Sequence, residues 1–448
     1  MTIASKINNL KNHQGFMRYF KNTSWLMGER ILRMACGLFV GIWVARYLGP
    51  ERFGVFAYAI SLVSIFAIAG HVGLSGLVVR ELVKSPEVRD EIMGTSFFLK
   101  GAGYCIGGGL LFVFIFLTEG DKNDEFWVLA ILTLTLLFLP FNVIDLWFQS
   151  RLEAKYMVFS NVVALLISSV LKIGFIFLSA DLAFFAITNL IQASVIALLL
   201  VFFYRYKSKL SIGEWRFSLS RAKKLISQGW VVFLGSIFAM IYLKIDQVML
   251  KWLVSSEEVG IYAVAVTLSE AWYFVPVAIV TSFFPKLIKL KETDLCLYQK
   301  RFQQLYDLLF MLAFGVAIVV SFFAEPAVNF MFGDAYQAVV PVLVIHIWAG
   351  MFIFMRAAFS KWMLIENVLM FSLITQGLGA LVNVALNYWL IPVCGGIGAA
   401  YATLASYATS SYLALLLYPK TRLVFWVMTR SLMSPLRYTV FRLFKMRY

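Results

Sequence analysis

Residues 53–79 run for 27 positions without a single charged side chain. An α-helix rises about 1.5 Å per residue, and about 20 apolar residues cross the hydrocarbon core of a bilayer. A run this long therefore reads as a membrane span. Similar stretches recur near 92–117, 126–148, 156–178, 182–204, 228–250, 259–283, 303–324, 338–359, 368–391 and 396–418. The stretch 24–47 completes a set of twelve, although Glu29, Arg30 and Arg33 stand in its first half. The last two spans are separated only by Pro392 and the Gly395–Gly396 pair. Hydrophobic residues make up 61% of the chain and charged residues 14%. Soluble domains carry about 45–50% and about 25%. The expected fold is an all-α polytopic membrane protein of about twelve transmembrane helices.

Charge orients the spans. With an even number, both termini share one side. That side would hold 29 of the 39 Lys and Arg, among them seven in loop 205–224 and five in 286–301. The opposite loops hold four: Arg46, Arg52, Lys122 and Lys251. The positive-inside rule then predicts cytoplasmic termini. The net charge of +15 is thus mostly a topology signal, with attraction to anionic lipid headgroups added. Basic residues spread over many short loops do not form a nucleic-acid surface, so no nucleic-acid partner is expected. No short apolar core with a small-residue cleavage site follows the basic start, so no cleaved signal peptide is expected. Cys36, Cys105, Cys296 and Cys394 are far apart, and His13, His71 and His346 do not cluster. Neither a disulfide framework, a metal site nor a catalytic constellation is predicted.

The chain echoes itself. GVFAYAISL at 54–62 matches GIYAVAVTL at 260–268, an offset of 206. Each copy opens the second helix of a six-helix half and starts from the same side of the membrane. That predicts parallel repeats about an axis along the membrane normal, with a cleft between them suited to alternating access. The expected divisions are 1–210, 211–420 and a basic cytoplasmic tail, 421–448. The tail is expected to lie flat on the membrane as an amphipathic segment, with docking of a synthesis partner as the other reading. No loop is long enough to house a soluble catalytic domain.

Charges within spans are costly and usually face a cavity or a partner. The basic ones are Arg30, Arg33, Lys100, Lys172, Lys244 and Arg356; the acidic ones are Glu29, Asp145, Asp246 and Glu270. Glu29 and Arg33 stand four apart with the acid first, a favourable helical pair. Asp145 and Arg356 lie near predicted cytoplasmic ends, where snorkelling is open to them. Lys244 and Asp246, two apart, point to different faces, which suits a gate or an interhelical pair. Lys172 lies about 24 Å along its helix and Glu270 about 16 Å along its own, too deep to snorkel. The excess of cations favours an anionic cargo such as a phosphate or pyrophosphate headgroup. Arg30, Arg33, Lys100, Lys172 and Lys244 are therefore candidate cavity residues. Glu29, Asp145, Asp246 and Glu270 are candidates for a coupling ion or a gate.

Residues 22–82, NTSWLMGERILRMACGLFVGIWVARYLGPERFGVFAYAISLVSIFAIAGHVGLSGLVVREL, resemble the opening of the polysaccharide transporter family. That family comprises the Wzx-type O-antigen flippases of the multidrug/oligosaccharidyl-lipid/polysaccharide (MOP) exporter superfamily. Further resemblance lies in DLWFQSRLEAKY (145–156), KIDQVML (244–250), FFPKLIKL (283–290) and MFGDAYQAVVPVLVI (331–345). The resemblance implies two six-helix bundles in a MATE-like V. It also implies transfer of an undecaprenyl-pyrophosphate-linked oligosaccharide, an O-antigen or capsule or exopolysaccharide unit, across the bacterial inner membrane. A proton or sodium gradient, with no cofactor, would drive it. Membrane lipids and other assembly proteins, such as a polymerase or chain-length regulator, are the implied partners. Related lipid II flippases use arginines on their first helix, in a place comparable to Arg30 and Arg33, but in a fourteen-helix chain.

Three other classes compete. A drug or cation exporter should show an acidic cavity. A polysaccharide polymerase or ligase should present a large outward loop with catalytic residues. An ion channel would lack charges in both halves of a repeat.

Overall fold

The computed structural model describes residues 14–118, 124–366, 368–435 and 437. Among the described residues all regular structure is helical. The chain forms two compact units, Met1–Leu48 with Ala59–Ser236, and Gly49–Tyr58 with Ile237–Tyr448.

The first helix, α1 (Gln14–Ala67), is interrupted at Gly49, where φ is 72°. That left-handed conformation suits glycine, which has no Cβ to clash. Pro50 follows and cannot continue the hydrogen-bond ladder. The same device recurs in α14 (Leu369–Ser411), with Gly395 at φ 55° just after Pro392. Among the described residues nine helices are long and apolar enough to cross a bilayer, and the bent pair Asp124–Leu137 with Leu139–Ser150 makes ten. Two of the nine, Lys21–Lys84 with 64 residues and Met370–Leu417 with 48, each contain one of the glycine breaks. The expected twelve is reached only when those two are divided there.

Unit 1 continues through α2 (Ser75–Lys84), α3 (Arg89–Thr118), α4 (Asp124–Leu134), α5 (Val143–Ser150), α6 (Ala154–Phe177) and α7 (Leu182–Ser208). Between α4 and α5 the backbone runs as 3₁₀ turns around buried Pro140, and the axis bends by 41°. A proline in an apolar span removes a donor and forces such a break. The helix α8 (Leu219–Leu253) then crosses from one unit into the other.

The basic loop 205–224 and the start of α8 fall within unit 1, which runs to Ser236. The reason is local charge. Glu81 on α2 pairs with Arg221 at 3.8 Å and Lys224 at 3.3 Å, and Glu91 accepts from Arg221 at 3.0 Å. The Arg216 amide donates to the Asp90 carbonyl, and the Ser218 amide to Thr95. These bonds tie the loop and the start of α8 into unit 1.

Unit 2 holds α9 (Ser256–Glu270), α10 (Phe274–Thr293), α11 (Leu295–Phe332), α12 (Val339–His346), α13 (Gly350–Ile365), α14 and α15 (Arg422–Leu432). Ser255 caps α9 by accepting from the Glu258 amide at 3.2 Å, which frees the chain to enter as a helix. The break at 347–349 between α12 and α13 mirrors the one at 139–142 at nearly the repeat offset. The echoed glycines meet within this unit. A Cβ on Gly54 would strike the Ser256 carbonyl, and one on Gly260 would strike the Pro50 carbonyl. Positions 50 and 256 are also 206 apart, so the contact is reciprocal, as in a two-fold interface.

The start of the tail is not a free basic segment. Helix α15 buries Val424, Phe425 and Met428 in an aromatic core with Phe302, Tyr306, Phe354, Phe359 and Trp362. Buried Asp307 on α11 anchors it, accepting from Ser431 at 2.8 Å and Gln303 at 2.9 Å and pairing with Arg437. Leu423, Trp426 and Met433 remain exposed on the other face. Residues 436 and 438–448 of the expected amphipathic tail lie outside the described residues.

Candidate functional site

Each unit gathers its own set of buried charges. In unit 1, Glu29 on α1 is 9% exposed and pairs with Arg33 at 2.5 Å, as their spacing predicts. Asn161 on α6 donates to the same Glu29 oxygen at 3.1 Å. Lys100 on α3 is 3% exposed. It forms no ion pair among the described residues, yet Asp145 on α5 and His71 lie within electrostatic range. Asp145 senses Glu29, Lys100 and Arg33 together, and its Oδ1 is buried without a hydrogen-bond partner. The bend at Pro140 sets the direction of α5, and so determines where Asp145 sits. Four of the predicted residues, Glu29, Arg33, Lys100 and Asp145, thus converge. A groove of about 450 Å³ between α1 and α6, lined by Lys21, Trp25, Glu29 and Val158, opens beside them.

Two predicted residues stay outside this set. Arg30 is exposed and has no partner among the described residues. Lys172 on α6 is half-buried, with neither a carboxylate nor a hydrogen-bond acceptor among the described residues.

In unit 2, Asp246 on α8 is 3% exposed and fully engaged. Tyr262 on α9 donates to Oδ2 at 2.6 Å, and Thr403 on α14 donates to the same oxygen at 2.7 Å. Asn387 donates to Oδ1 at 2.5 Å and to Asn383 at 3.2 Å. Such donors stabilise a carboxylate that could not be buried alone. Glu270 ends α9 just before the turn at 271–273 and lies within electrostatic range of Lys244 and Asp246. Lys244 and Asp246 thus both act on Glu270. Arg356 does not snorkel; it donates to the Ser410 carbonyl at 2.8 Å and satisfies the end of α14. Buried His346 shares a hydrogen bond with Ser269 at 2.9 Å.

Charge alone does not mark Tyr262, Asn383, Asn387 or Thr403. The signal was present: Asn383 and Asn387 are polar, four apart and inside an apolar span, so they share a helix face. Tyr262 occupies the echo position of Phe56. The hydroxyl that holds Asp246 is therefore specific to the second copy.

Residues 19–291 match the family described as polysaccharide biosynthesis protein. The chain belongs to that family. It is 25% identical over 336 residues to a candidate O-antigen transporter of Shigella flexneri, covering 72% of this chain and 78% of that protein. It is 26% identical over 415 residues to the probable flippase AglR of Haloferax volcanii, covering 88% and 82%. The fold is that of the MOP superfamily. The lipid II flippase MurJ in its inward closed conformation superposes with TM-score 0.69 at 12% identity, covering 94% of this chain and 93% of that one. An inward-facing multidrug-resistance MATE transporter superposes with TM-score 0.62 at 16% identity, covering 89% and 96%. This member of the family is a multi-pass membrane protein with buried charges in both units.

Proposed function

We propose that this chain is a flippase for a polyprenyl-pyrophosphate-linked oligosaccharide in a bacterial inner membrane, with both termini cytoplasmic. The cargo would be an O-antigen, capsule or exopolysaccharide unit on an undecaprenyl carrier, moved from inner to outer leaflet by alternating access. The observation that carries this reading is Lys100: a cation 3% exposed in an apolar helix, with no ion pair among the described residues. A cation kept at membrane depth without a fixed counter-ion is expensive unless an anionic ligand visits it. Lys100 and Arg33 would hold the pyrophosphate, and Glu29 and Asp145 would limit how tightly it stays.

Asp246 is the proposed coupling site. Its carboxylate, the Thr403 hydroxyl and the two asparagine amides supply oxygens for a sodium ion, and the carboxylate alone can take a proton. Asn387 Oδ1 is buried and unpaired in the present arrangement, so an oxygen is free to turn toward such an ion. Polymerase or chain-length partners would meet the flippase at the membrane. A cation exporter would share the fold, but Lys100 and Arg33 would oppose its cargo.

The test is a leaflet assay in membranes depleted of the native protein. Lipid-linked oligosaccharide should become accessible from outside only when this chain is present. Correct insertion with no such transfer would reject the flippase reading.

A further inference from the structure

We infer that the break between α4 and α5 forms a subsite for one uncharged sugar ring of the cargo, adjoining the charge cluster that would hold its pyrophosphate. The inference rests on the flippase reading and adds to it a place and a chemistry for the glycan. A cleft of about 280 Å³ lies where the broken helix meets α1 and α7. Its volume lies just below the range of about 300–1,000 Å³ of pockets that hold whole ligands, which suits a subsite for one ring.

Three amides line this cleft: Asn142 at the break, and Asn189 and Gln192 on α7. None has a hydrogen-bond partner among the described residues, and the Asn189 Nδ2 is fully buried. The two hydroxyls beside them do not help. Ser64 donates back to the Ile60 carbonyl at 2.6 Å, and Thr135 to the Leu132 carbonyl at 2.6 Å. Amides that merely glued helices together would bond to one another; these do not.

The depth matters. Gln192 lies roughly 15 Å from the start of α7, near the middle of its span. Non-helical backbone and unpaired amides at that depth are tolerated where they line a cavity, not where they face lipid. An amide both donates and accepts and carries no charge. It suits a sugar hydroxyl and gives no preference to pyrophosphate. Phe138 and Ile60 line the same cleft and supply an apolar wall for the C–H face of a ring. Asn142 stands three residues before Asp145, less than one helical turn. An anion held at Lys100 and Arg33 would therefore carry its first sugar toward the amides.

The full-length protein in nanodiscs is titrated with undecaprenyl pyrophosphate alone, and with the same carrier bearing one hexose or one N-acetylhexosamine. At least one sugar-bearing probe should bind about tenfold tighter than the bare carrier, the worth of two net hydrogen bonds. Asn189→Leu and Gln192→Leu should each reduce that ratio toward one and leave bare-carrier affinity unchanged. A wild-type protein that binds the carrier without sugar preference would overturn the subsite and leave the flippase reading standing. So would variants that keep the preference, or that lose bare-carrier affinity to the same degree. No binding of any probe would remove the flippase reading itself, and the subsite with it. Where a leucine variant does not fold, alkylation of Gln192→Cys decides the matter. Protection by the sugar-bearing carrier but not by the bare one supports the subsite, and equal protection refutes it.

Discussion

Asp246 and Lys100 are equally buried but kept in opposite ways. Asp246 is surrounded by donors, so any cation must compete with Tyr262, Thr403 and Asn387. Lys100 has only distant carboxylates, so its charge is available to a ligand. We expect Asp246→Asn to fold and to transfer cargo at a rate indifferent to an imposed proton or sodium gradient; undiminished gradient dependence would end the coupling assignment. Tyr262→Phe should lower thermal stability by about 1–3 kcal/mol, the cost of removing one bond to a buried charge. Lys100→Ala should slow transfer by about tenfold or more, the loss of a charge-assisted contact, with protein level unchanged. Lys172 is the counterpoint: it is far enough along its helix to suggest a cavity, yet nothing described around it forms a site.

At the scale of the element, the informative features are interruptions. Gly49 and Gly395 let single continuous helices turn, and Pro140 bends a third and so determines where Asp145 and Asn142 sit. Gly260 packs its backbone against Pro50 with no room for a side chain. Gly260→Ala should therefore destabilise the protein by about 1–3 kcal/mol through overpacking, measured as a fall in melting temperature in detergent. A fully retained melting temperature would mean the close approach is dispensable. The helix α15 is held by Asp307 as well as by its apolar face. Asp307→Ala should leave the core helices folded while trypsin cleavage at Arg422 and Arg430 accelerates by roughly tenfold, the signature of local opening.

At the scale of the molecule, two units built on one echo have diverged. The first carries Lys100 and the Glu29–Arg33 pair, and the second carries the Asp246 network. Orientation belongs to this scale too. Cysteine at Lys207 should react only with membrane-permeant reagents in intact cells, and cysteine at Glu257 with impermeant ones. The reverse pattern would invert the topology and move the cargo site to the outer side.

Much of this was legible in the residue order. Long charge-free runs determine that the chain is a bundle of spans, because a helix satisfies its own backbone groups in lipid and the runs are far longer than the roughly 10 residues of a barrel strand. The i, i+4 spacing of Glu29 and Arg33 determines their pair, since helix geometry alone brings them together. The echo at 54 and 260 marks the repeat. The tertiary structure decided the rest. Lys100 comes within electrostatic range of Asp145, and Asp246 meets Asn387 and Thr403, across distances in sequence that no local spacing encodes. The basic loop packs into unit 1 because Glu81 and Glu91, far earlier in the chain, bind Arg221 at its end. A covalent neighbour is set by order, and a buried charge's partner is set by packing. The all-helical, membrane-spanning character could therefore be read from the chain, but the way its charges combine could not.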